Sequence, residues 1–331
     1  MSKNKVESND AAVVSPRMLS SSVLRRGARQ GALLIVVIIL ITYFGILNSY
    51  FISSQNIQNI LLQATIVGIL GIGQTYVIIT GGIDLSIGSI VATSTVCSGI
   101  FSTHTSPVVA IVGGILVGVM AGLVNGLLIV TTKITPFIIT LGTMGIYSGL
   151  ALIISGGQAI YGIPSSFQQA LAGKAFGFPI PILLFAFLTT LSVFVMKYTK
   201  FGEYLVAIGG NPEVATLAGI SVRRNTAYAY VVSGSLAGLC GAILAARLGA
   251  ADPNTGSDLL LVAIAATVMG GTKLAGGEGS MVGAAFGAIL IATLTAGLTS
   301  LNVQAFYQKV AVGTAIILTI LIDQFVKGRR K

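Results

Sequence analysis

About ten apolar segments, each near 20 residues long, constrain the fold of this chain more than any other feature. A helix of about 20 apolar residues spans the hydrocarbon core of a bilayer. In lipid every backbone polar group must be bonded internally, which favours such helices. Charged residues make up only 8% of the 331 residues, against about 25% in soluble domains. The sequence therefore predicts an all-α polytopic membrane protein with about ten transmembrane helices.

The segments cover residues 31–50, 57–79, 86–102, 107–130, 134–154, 179–198, 225–248, 258–272, 279–298 and 306–326. The third and eighth segments are short and flanked by glycines, and a count without them is eight. We interpret residues 31–326 as one transmembrane domain. Residues 1–30 are Ser-rich and basic, and we expect a disordered tail; residues 327–331 form a second basic tail. No small-residue cleavage site follows the first segment, which predicts an uncleaved span.

The basic residues predict the orientation of the spans. With ten spans and an internal N-terminus, 16 of the 19 Lys and Arg residues fall on the cytoplasmic side. The exceptions are Lys174, Arg247 and Lys309. This asymmetry is the positive-inside pattern, so we expect both termini and the loop at residues 199–224 in the cytoplasm. It also explains the net charge of +10 without a nucleic-acid partner.

The loop at residues 199–224 is the longest polar interruption after the tail, and it contains the signals of a short helix. Asn211 is suited to cap the N-terminus of this helix, and Pro212 suits the first helical position. Glu213 places negative charge in the first turn, where the helix dipole favours it. Gly219 can adopt the left-handed conformation that ends a helix.

Val214, Leu217 and Ala218 form an apolar stripe on this short helix. Three interpretations remain open from the stripe alone. The helix lies on the lipid surface, docks into a groove of a partner protein, or packs on its own protein.

Two glycine-rich motifs interrupt the predicted spans. The first glycine motif is TGGIDLSIGS at residues 80–89, and the second is MGGTKLAGGEGS at residues 269–280. Both contain GG, a polar residue, a Leu and then GS before an apolar helix, which suggests an internal repeat of the kind found in transporters. Neither has the spacing of a P-loop, so we expect no nucleotide site in this chain.

The first glycine motif places Asp84 beside a predicted span, together with Gly81, Gly82 and Ser86. An ionisable residue at such a position is either functional or structural. Asp84 is suited to cap a helix that begins at Leu85, with Ser86 in its first turn. We expect this structural role, and binding of a coupling cation is the alternative.

Runs with Gly and Ala at four-residue spacing occur at residues 113–126, 234–242 and 283–290. Small residues allow membrane helices to approach closely. We therefore expect a compact bundle in which these three small-residue runs serve packing.

No residue pattern indicates catalysis. His104 is the single histidine, without a Cys or carboxylate cluster that would complete a metal site. The G-x-S-x-G and H-E-x-x-H motifs are absent from the sequence. Cys97 and Cys240 fall inside apolar segments and are interpreted as packing residues rather than a disulfide. We expect a protein that is not an enzyme and that binds no metal or cofactor itself.

Neutral polar residues inside the predicted spans suggest a path for an uncharged substrate. These residues are Gln63, Gln74, Asn125, Thr143 and Tyr147. Gln63 and Gln74 are three helical turns apart, so we expect them to share a face. Amides, hydroxyls and aromatic rings suit a neutral polyol. Hydrogen bonds between helices are the alternative role for each of the five.

Two stretches resemble the ribose-type permease family of bacterial ABC importers. They are GQTYVIITGGIDLSIGS at residues 73–89 and AIGGNPEVATLAGISV at residues 207–222. The resemblance extends from about residue 40 to residue 326, which is nearly everything except the tail.

The second stretch is also similar to the wider importer motif E-A-A-x-x-x-G, at Glu213, Val214, Ala215 and Gly219. Val214 stands in place of the first Ala, and the I-x-L-P element that follows the wider motif is not found. This departure fits a ribose-type rather than a maltose-type permease.

The resemblance implies the permease subunit of an ATP-driven importer in the bacterial inner membrane, with a ribose-like or related monosaccharide as substrate. It implies a second permease subunit, which forms a homodimer or a heterodimer with this one. It implies two cytosolic ATPase domains that bind ATP-Mg, either as two copies or as a fused pair. It also implies an extracytoplasmic sugar-binding protein. It also implies that a cleft of the ATPase receives the short helix, with Asn211, Glu213, Val214, Ala215, Leu217, Ala218 and Gly219. The alternatives are a related permease for nucleosides or branched-chain amino acids and, from another class, a secondary transporter.

Overall fold

The computed structural model describes residues 16–132 and 134–328, which form a bundle of helices. The helices are α1 (Pro16–Leu47), α2 (Ser54–Ile79), α3 (Ile87–His104), α4 (Pro107–Thr131), α5 (Pro136–Ser155), α6 (Ser165–Ala172), α7 (Ile180–Tyr198), α8 (Lys200–Gly210), α9 (Pro212–Leu217), α10 (Val222–Leu248), α11 (Leu259–Met269), α12 (Met281–Ser300) and α13 (Ala305–Gly328). A 3₁₀ helix, Ser49–Ile52, follows α1. The strands β1 (Lys174–Ala175) and β2 (Phe178–Pro179) form a small antiparallel hairpin before α7.

Seven helices in the described part of the chain are long and apolar enough to cross a membrane: α1 from Gln30 onward, α2, α4, α5, α7, α10 and α12. This finding confirms an all-α polytopic membrane protein. The short third and eighth segments correspond to α3, with 18 residues, and α11, with 11 residues. Eleven helical residues extend only about 17 Å, so α11 is too short to cross a hydrocarbon core of about 30 Å. The count of ten spans and the orientation stay predictions.

The N-terminal part of α1 lies before the first apolar segment. Residues 16–30, for which we expected disorder, are helical in the structure. Residues 1–15 and 329–331, which belong to the two predicted tails, lie outside the described residues.

The centre of the bundle is formed by α2 and α10, which are the most buried of the seven long apolar helices. α10 packs against α4, α3 and α2, whereas α12 packs against α2, α11 and α1. α1, α4, α5 and α7 have the fewest buried residues of the seven and form the periphery.

Glycines bring neighbouring helices into backbone contact. A Cβ added at Gly118 of α4 would collide with the carbonyl oxygen of Gly234 on α10. A Cβ added at Gly283 of α12 would collide with the carbonyl oxygen of Gly270, at the end of α11. Because only a hydrogen fits at these positions, the predicted packing role of the small-residue runs is confirmed.

Candidate functional site

The loop at residues 199–224 contains two helices, α8 and α9, where the sequence analysis predicted only the second. Thr199 caps α8 by accepting a hydrogen bond from the N–H of Gly202 at 3.5 Å. Leu205 and Ile208, three residues apart, are buried against the bundle. This apolar spacing and the Thr cap were the signals in the sequence from which α8 could have been found.

α9 begins as predicted. The side-chain oxygen of Asn211 accepts hydrogen bonds from the N–H groups of Glu213 at 2.9 Å and Val214 at 3.1 Å. Pro212 occupies the first helical position, where its missing N–H costs nothing. These contacts satisfy N–H groups that have no partner inside the helix.

α9 also ends as predicted. Gly219 adopts the left-handed conformation, with φ = +79°. Its N–H donates to the carbonyl of Thr216, and the N–H of Ile220 donates to the carbonyl of Ala215, both at 3.0 Å. This pair of bonds is the Schellman arrangement, and it fixes a six-residue helix that would be unstable alone.

The two faces of α9 differ in burial. Ala215 is buried against the protein, whereas Val214 is 59% exposed and Leu217 is 88% exposed. The apolar stripe therefore does not pack on the described part of its own chain. Contact with lipid and docking to a partner remain as its two possible roles.

The two glycine motifs meet each other and α8 in a backbone junction, formed by Ile79, Gly81, Gly209, Gly276 and Gly277. The N–H of Gly277 donates to the carbonyl of Ile79 at 2.9 Å. A Cβ added at Gly209 would collide with that carbonyl and with the N–H of Gly277. Gly81 and Gly276 face each other at positive φ, +85° and +86°, where side chains other than hydrogen are strained.

The backbone junction places the loops before α3 and α12 in direct contact with the end of α8. A single residue, Asn211, separates α8 from α9, so α9 lies next in the chain to the helix that contacts both glycine motifs. The sequence identified the two motifs but contained no signal that they would be adjacent.

Asp84 is fully buried close to this junction. Its Oδ1 accepts hydrogen bonds from the N–H of Ser86 at 2.9 Å and from the hydroxyl of Ser86 at 2.6 Å. Its Oδ2 accepts a hydrogen bond from the hydroxyl of Ser233 at 3.4 Å, and Gln74 Nε2 donates to its backbone carbonyl at 2.8 Å. The three donors to the carboxylate, from Ser86 and Ser233, replace water that it loses on burial.

The predicted helix start at Leu85 is wrong. α3 begins at Ile87, and Ser86 occupies the N-cap position. Leu85 and Ser86 form a turn, so Asp84 bonds to Ser86 and not to an N–H group inside the first helical turn. Asp84 therefore bonds to the turn before α3 rather than capping the helix itself.

The Asp84 network joins five helices or their ends. Asn125 of α4 donates from Nδ2 to the Ser86 hydroxyl at 2.7 Å. The hydroxyl of Tyr147 on α5 donates to the carbonyl of Ala121 at 3.0 Å and lies 3.3 Å from Asn125 Oδ1. Together with Gln74 on α2 and Ser233 on α10, these bonds connect elements that are distant in sequence.

Of the five polar residues predicted to line a path, the structure brings together Gln74, Asn125 and Tyr147. Each makes hydrogen bonds between elements, which is the alternative that the sequence left open. Thr143 is buried but donates to the carbonyl of Thr140 within its own helix.

Gln63 lies apart from the Asp84 network. It is exposed in the N-terminal half of α2, eleven residues and about 17 Å from Gln74 along the helix axis. Sequence reasoning missed Ser233, because one hydroxyl in an apolar helix does not reveal what it faces.

The sequence matches the family described as "Branched-chain amino acid transport system / permease component" over residues 56–321. It is 40% identical to the ribose import permease protein of Bacillus subtilis strain 168 over 289 residues, which cover 86% of this chain and 90% of the relative. The chain belongs to the ribose-type sugar ABC permeases. Other members include the D-allose transport system permease protein of Escherichia coli K12, 34% identical over 90% of this chain and 92% of the relative. No solved structure matches this permease.

The L-arabinose ABC transporter permease protein of Azospirillum brasilense is 32% identical over 100% of this chain and 98% of that protein. The residues matched by the family model include both glycine motifs.

The backbone junction predicts different outcomes for two adjacent glycines. Gly209→Ala places a methyl group against the Ile79 carbonyl and the Gly277 N–H, and overpacking of this kind costs about 1–3 kcal/mol. Gly210 has nothing within 4 Å of an added Cβ, so Gly210→Ala serves as the matched control. Thermal unfolding of the purified permease should show a lower midpoint for Gly209→Ala alone. Equal midpoints for the two variants would contradict the tight contact.

The Asp84 network predicts that shape and hydrogen bonding at Asp84 matter more than charge. Asp84→Asn keeps an oxygen for the Ser86 N–H and gains an amide that can donate to Ser233, so the permease should fold and support uptake. Asp84→Leu leaves buried donors unpaired at a cost of about 1–3 kcal/mol each, and permease levels in membranes should fall. Normal levels with abolished uptake in Asp84→Asn would instead indicate a bound coupling cation.

Proposed function

We propose that this permease is the transmembrane subunit of an ATP-driven importer that moves a monosaccharide delivered by an extracytoplasmic binding protein. The names of the relatives support a sugar: ribose, D-allose and L-arabinose are the substrates that those names state. The exposed stripe of α9 is the observation that supports coupling to ATP. A membrane protein with no P-loop of its own must receive the energy of ATP hydrolysis through contact with another protein.

The partner proposed for α9 is a cytosolic ATPase that binds ATP-Mg, present as two copies or a fused pair. Burial of a Leu side chain contributes about 1.5–3 kcal/mol, and Leu217 has nearly all of its side chain available. The caps at both ends hold the helix rigid before docking, so little conformational entropy is lost on binding. A second permease subunit, identical or homologous, completes the proposed complex.

The proposed location is the bacterial inner membrane, with both termini and the loop at residues 199–224 in the cytoplasm. The excess of basic residues on that side supports this orientation. Two serines lie on opposite sides of the membrane in the predicted orientation. Ser221 lies between α9 and α10, and Ser165 is the first residue of α6.

The proposed orientation predicts opposite labelling of two single-cysteine variants. In a background without Cys97 and Cys240, an impermeant thiol reagent added to intact cells should label Ser165→Cys and leave Ser221→Cys unlabelled. After the cells are opened, both variants should react. Labelling of Ser221→Cys from outside would contradict the proposed orientation of the permease.

The proposed docking role predicts that a charge on the α9 stripe disrupts the complex. Leu217→Asp removes the apolar contact and adds a carboxylate that must be desolvated, while no span is altered. ATPase recovered with the permease from detergent extracts should fall at least roughly tenfold, and sugar uptake should fall with it. Leu301→Asp is the matched control, because Leu301 is an exposed leucine in the turn after α12. Equal ATPase recovery for Leu217→Asp and the wild type would exclude docking through α9.

A branched-chain amino acid is the second candidate substrate, favoured by the description of the matched family. Uptake assays with radiolabelled sugars and amino acids in a strain that lacks its own importers distinguish the two. We expect uptake of a monosaccharide, and uptake of an amino acid alone would contradict the sugar.

A further inference from the structure

A polar cavity of about 380 Å³ lies around the N-terminal part of α2, at the opposite end of that helix from the backbone junction. α2 has 26 residues and extends about 39 Å, so the cavity and the junction are separated by most of the bundle. Polar residues from the chain after α1 and from α2, α10 and α12 line it, among them Asn48, Tyr50, Asn59, Gln63, Arg247 and Ser300.

We call this polar cavity the outer cavity. Two amides that line it have unused hydrogen-bonding capacity. Asn59 and Gln63 are one helical turn apart on α2, so their side chains lie on the same face. Both line the cavity, and neither side chain has a hydrogen-bond partner among the described residues. Each amide offers two donors and one acceptor oxygen to a ligand.

Arg247 adds a partly buried guanidinium to the outer cavity. One of its nitrogens, Nη1, donates to the carbonyl of Leu62 at 3.1 Å, which holds the side chain against α2 and leaves the rest of its donor fork available. Arg247 is also one of only three basic residues on the side where the positive-inside pattern expects few. A basic residue there, at the wall of a polar cavity, is typical of a binding role rather than of topology.

We propose that the outer cavity is a binding site for one monosaccharide in its ring form, a site that the sugar occupies on its way into the permease. This inference rests on the proposed sugar-import function. A sugar ring carries hydroxyls that both donate and accept, which matches amides. A guanidinium can donate to two neighbouring hydroxyls, and the face of the Tyr50 ring suits the C–H groups of the sugar. The cavity volume falls within the range of about 300–1,000 Å³ for small-molecule sites.

A second cavity, larger than the outer cavity, does not offer the same chemistry. It measures about 580 Å³ between α3, α4 and α5, and most of its lining is aliphatic or aromatic. The hydroxyls of Thr93 and Tyr147 at its wall already donate to backbone carbonyls. A polyol would lose its hydration there without replacement.

The absence of tryptophan from the sequence allows a direct test of the outer cavity. Tyr50→Trp places a single fluorescent reporter in the cavity of the full-length permease in lipid nanodiscs. D-Ribose, D-allose, L-arabinose and D-fructose are titrated in turn. We expect a saturable change in emission with at least one of them. Tyr161→Trp is the matched reporter control, since Tyr161 is 75% exposed and lies outside the cavity, and it should show no saturable change.

A second pair of variants tests whether the amides of α2 hold the sugar. Gln63→Leu in the Tyr50→Trp permease should weaken the response roughly tenfold, whereas Gln58→Leu should not, because Gln58 does not line the cavity. Independently of the reporter, bound sugar should slow thiol labelling of Gln63→Cys and leave labelling of Gln58→Cys unchanged.

Parallel uptake assays with the wild-type transporter separate this inference from the proposed function. If a sugar is imported, yet it changes neither the emission of Tyr50→Trp nor the labelling of Gln63→Cys, the outer-cavity site is wrong and the importer function stands. If no monosaccharide is imported, the proposed function itself fails.

Discussion

The contact between the Ile79 carbonyl, the Gly277 N–H and the backbone at Gly209 is the constraint on which the rest of this permease structure depends. Three segments that are distant in sequence meet there without side chains between them. Backbone contacts of this kind do not deform gradually, because the atoms are already at their closest approach. A displacement of α8 must therefore move the loops before α3 and α12 as well. This rigidity is what a coupling helix at the end of α8 requires.

Hydrogen bonds extend the same constraint into the bundle. Asp84 follows the junction by a few residues, and it orients Ser86, which accepts a hydrogen bond from Asn125. Asn125 in turn contacts Tyr147. The network uses neutral partners around one buried carboxylate, and in a low-dielectric interior each member depends on the others. Polar groups in the centre of this permease thus hold its helices in register, while the amides of Asn59 and Gln63 line the outer cavity.

Much of the fold follows from local features of the sequence, and much of the candidate site does not. The apolar segments predicted the long helices, and the small-residue runs predicted their close packing. The two ends of α9 could be predicted because Asn211 and Gly219 stabilise them through hydrogen bonds to groups only a few residues away. By contrast, the sequence analysis did not predict α8, because it treated residues 199–210 as part of a polar loop. α3 begins at Ile87 and not at Leu85 as predicted. The carboxylate of Asp84 accepts a hydrogen bond from the N–H of Ser86 and holds Leu85 and Ser86 in a turn. The shared helical face of Gln63 and Gln74 did not reveal that Gln63 is exposed and Gln74 is buried, because helical spacing carries no information on burial along the axis.

The most direct test of the central claim is a site-specific cross-link from α9 in the assembled transporter. A photo-reactive amino acid at Leu217 should form a covalent product with the ATPase in membranes, and the same group at Leu301 should form none. A product at Leu217 that contains the ATPase supports coupling through α9. Efficient cross-linking of Leu217 to lipid alone, in membranes where the complex imports sugar, would contradict it.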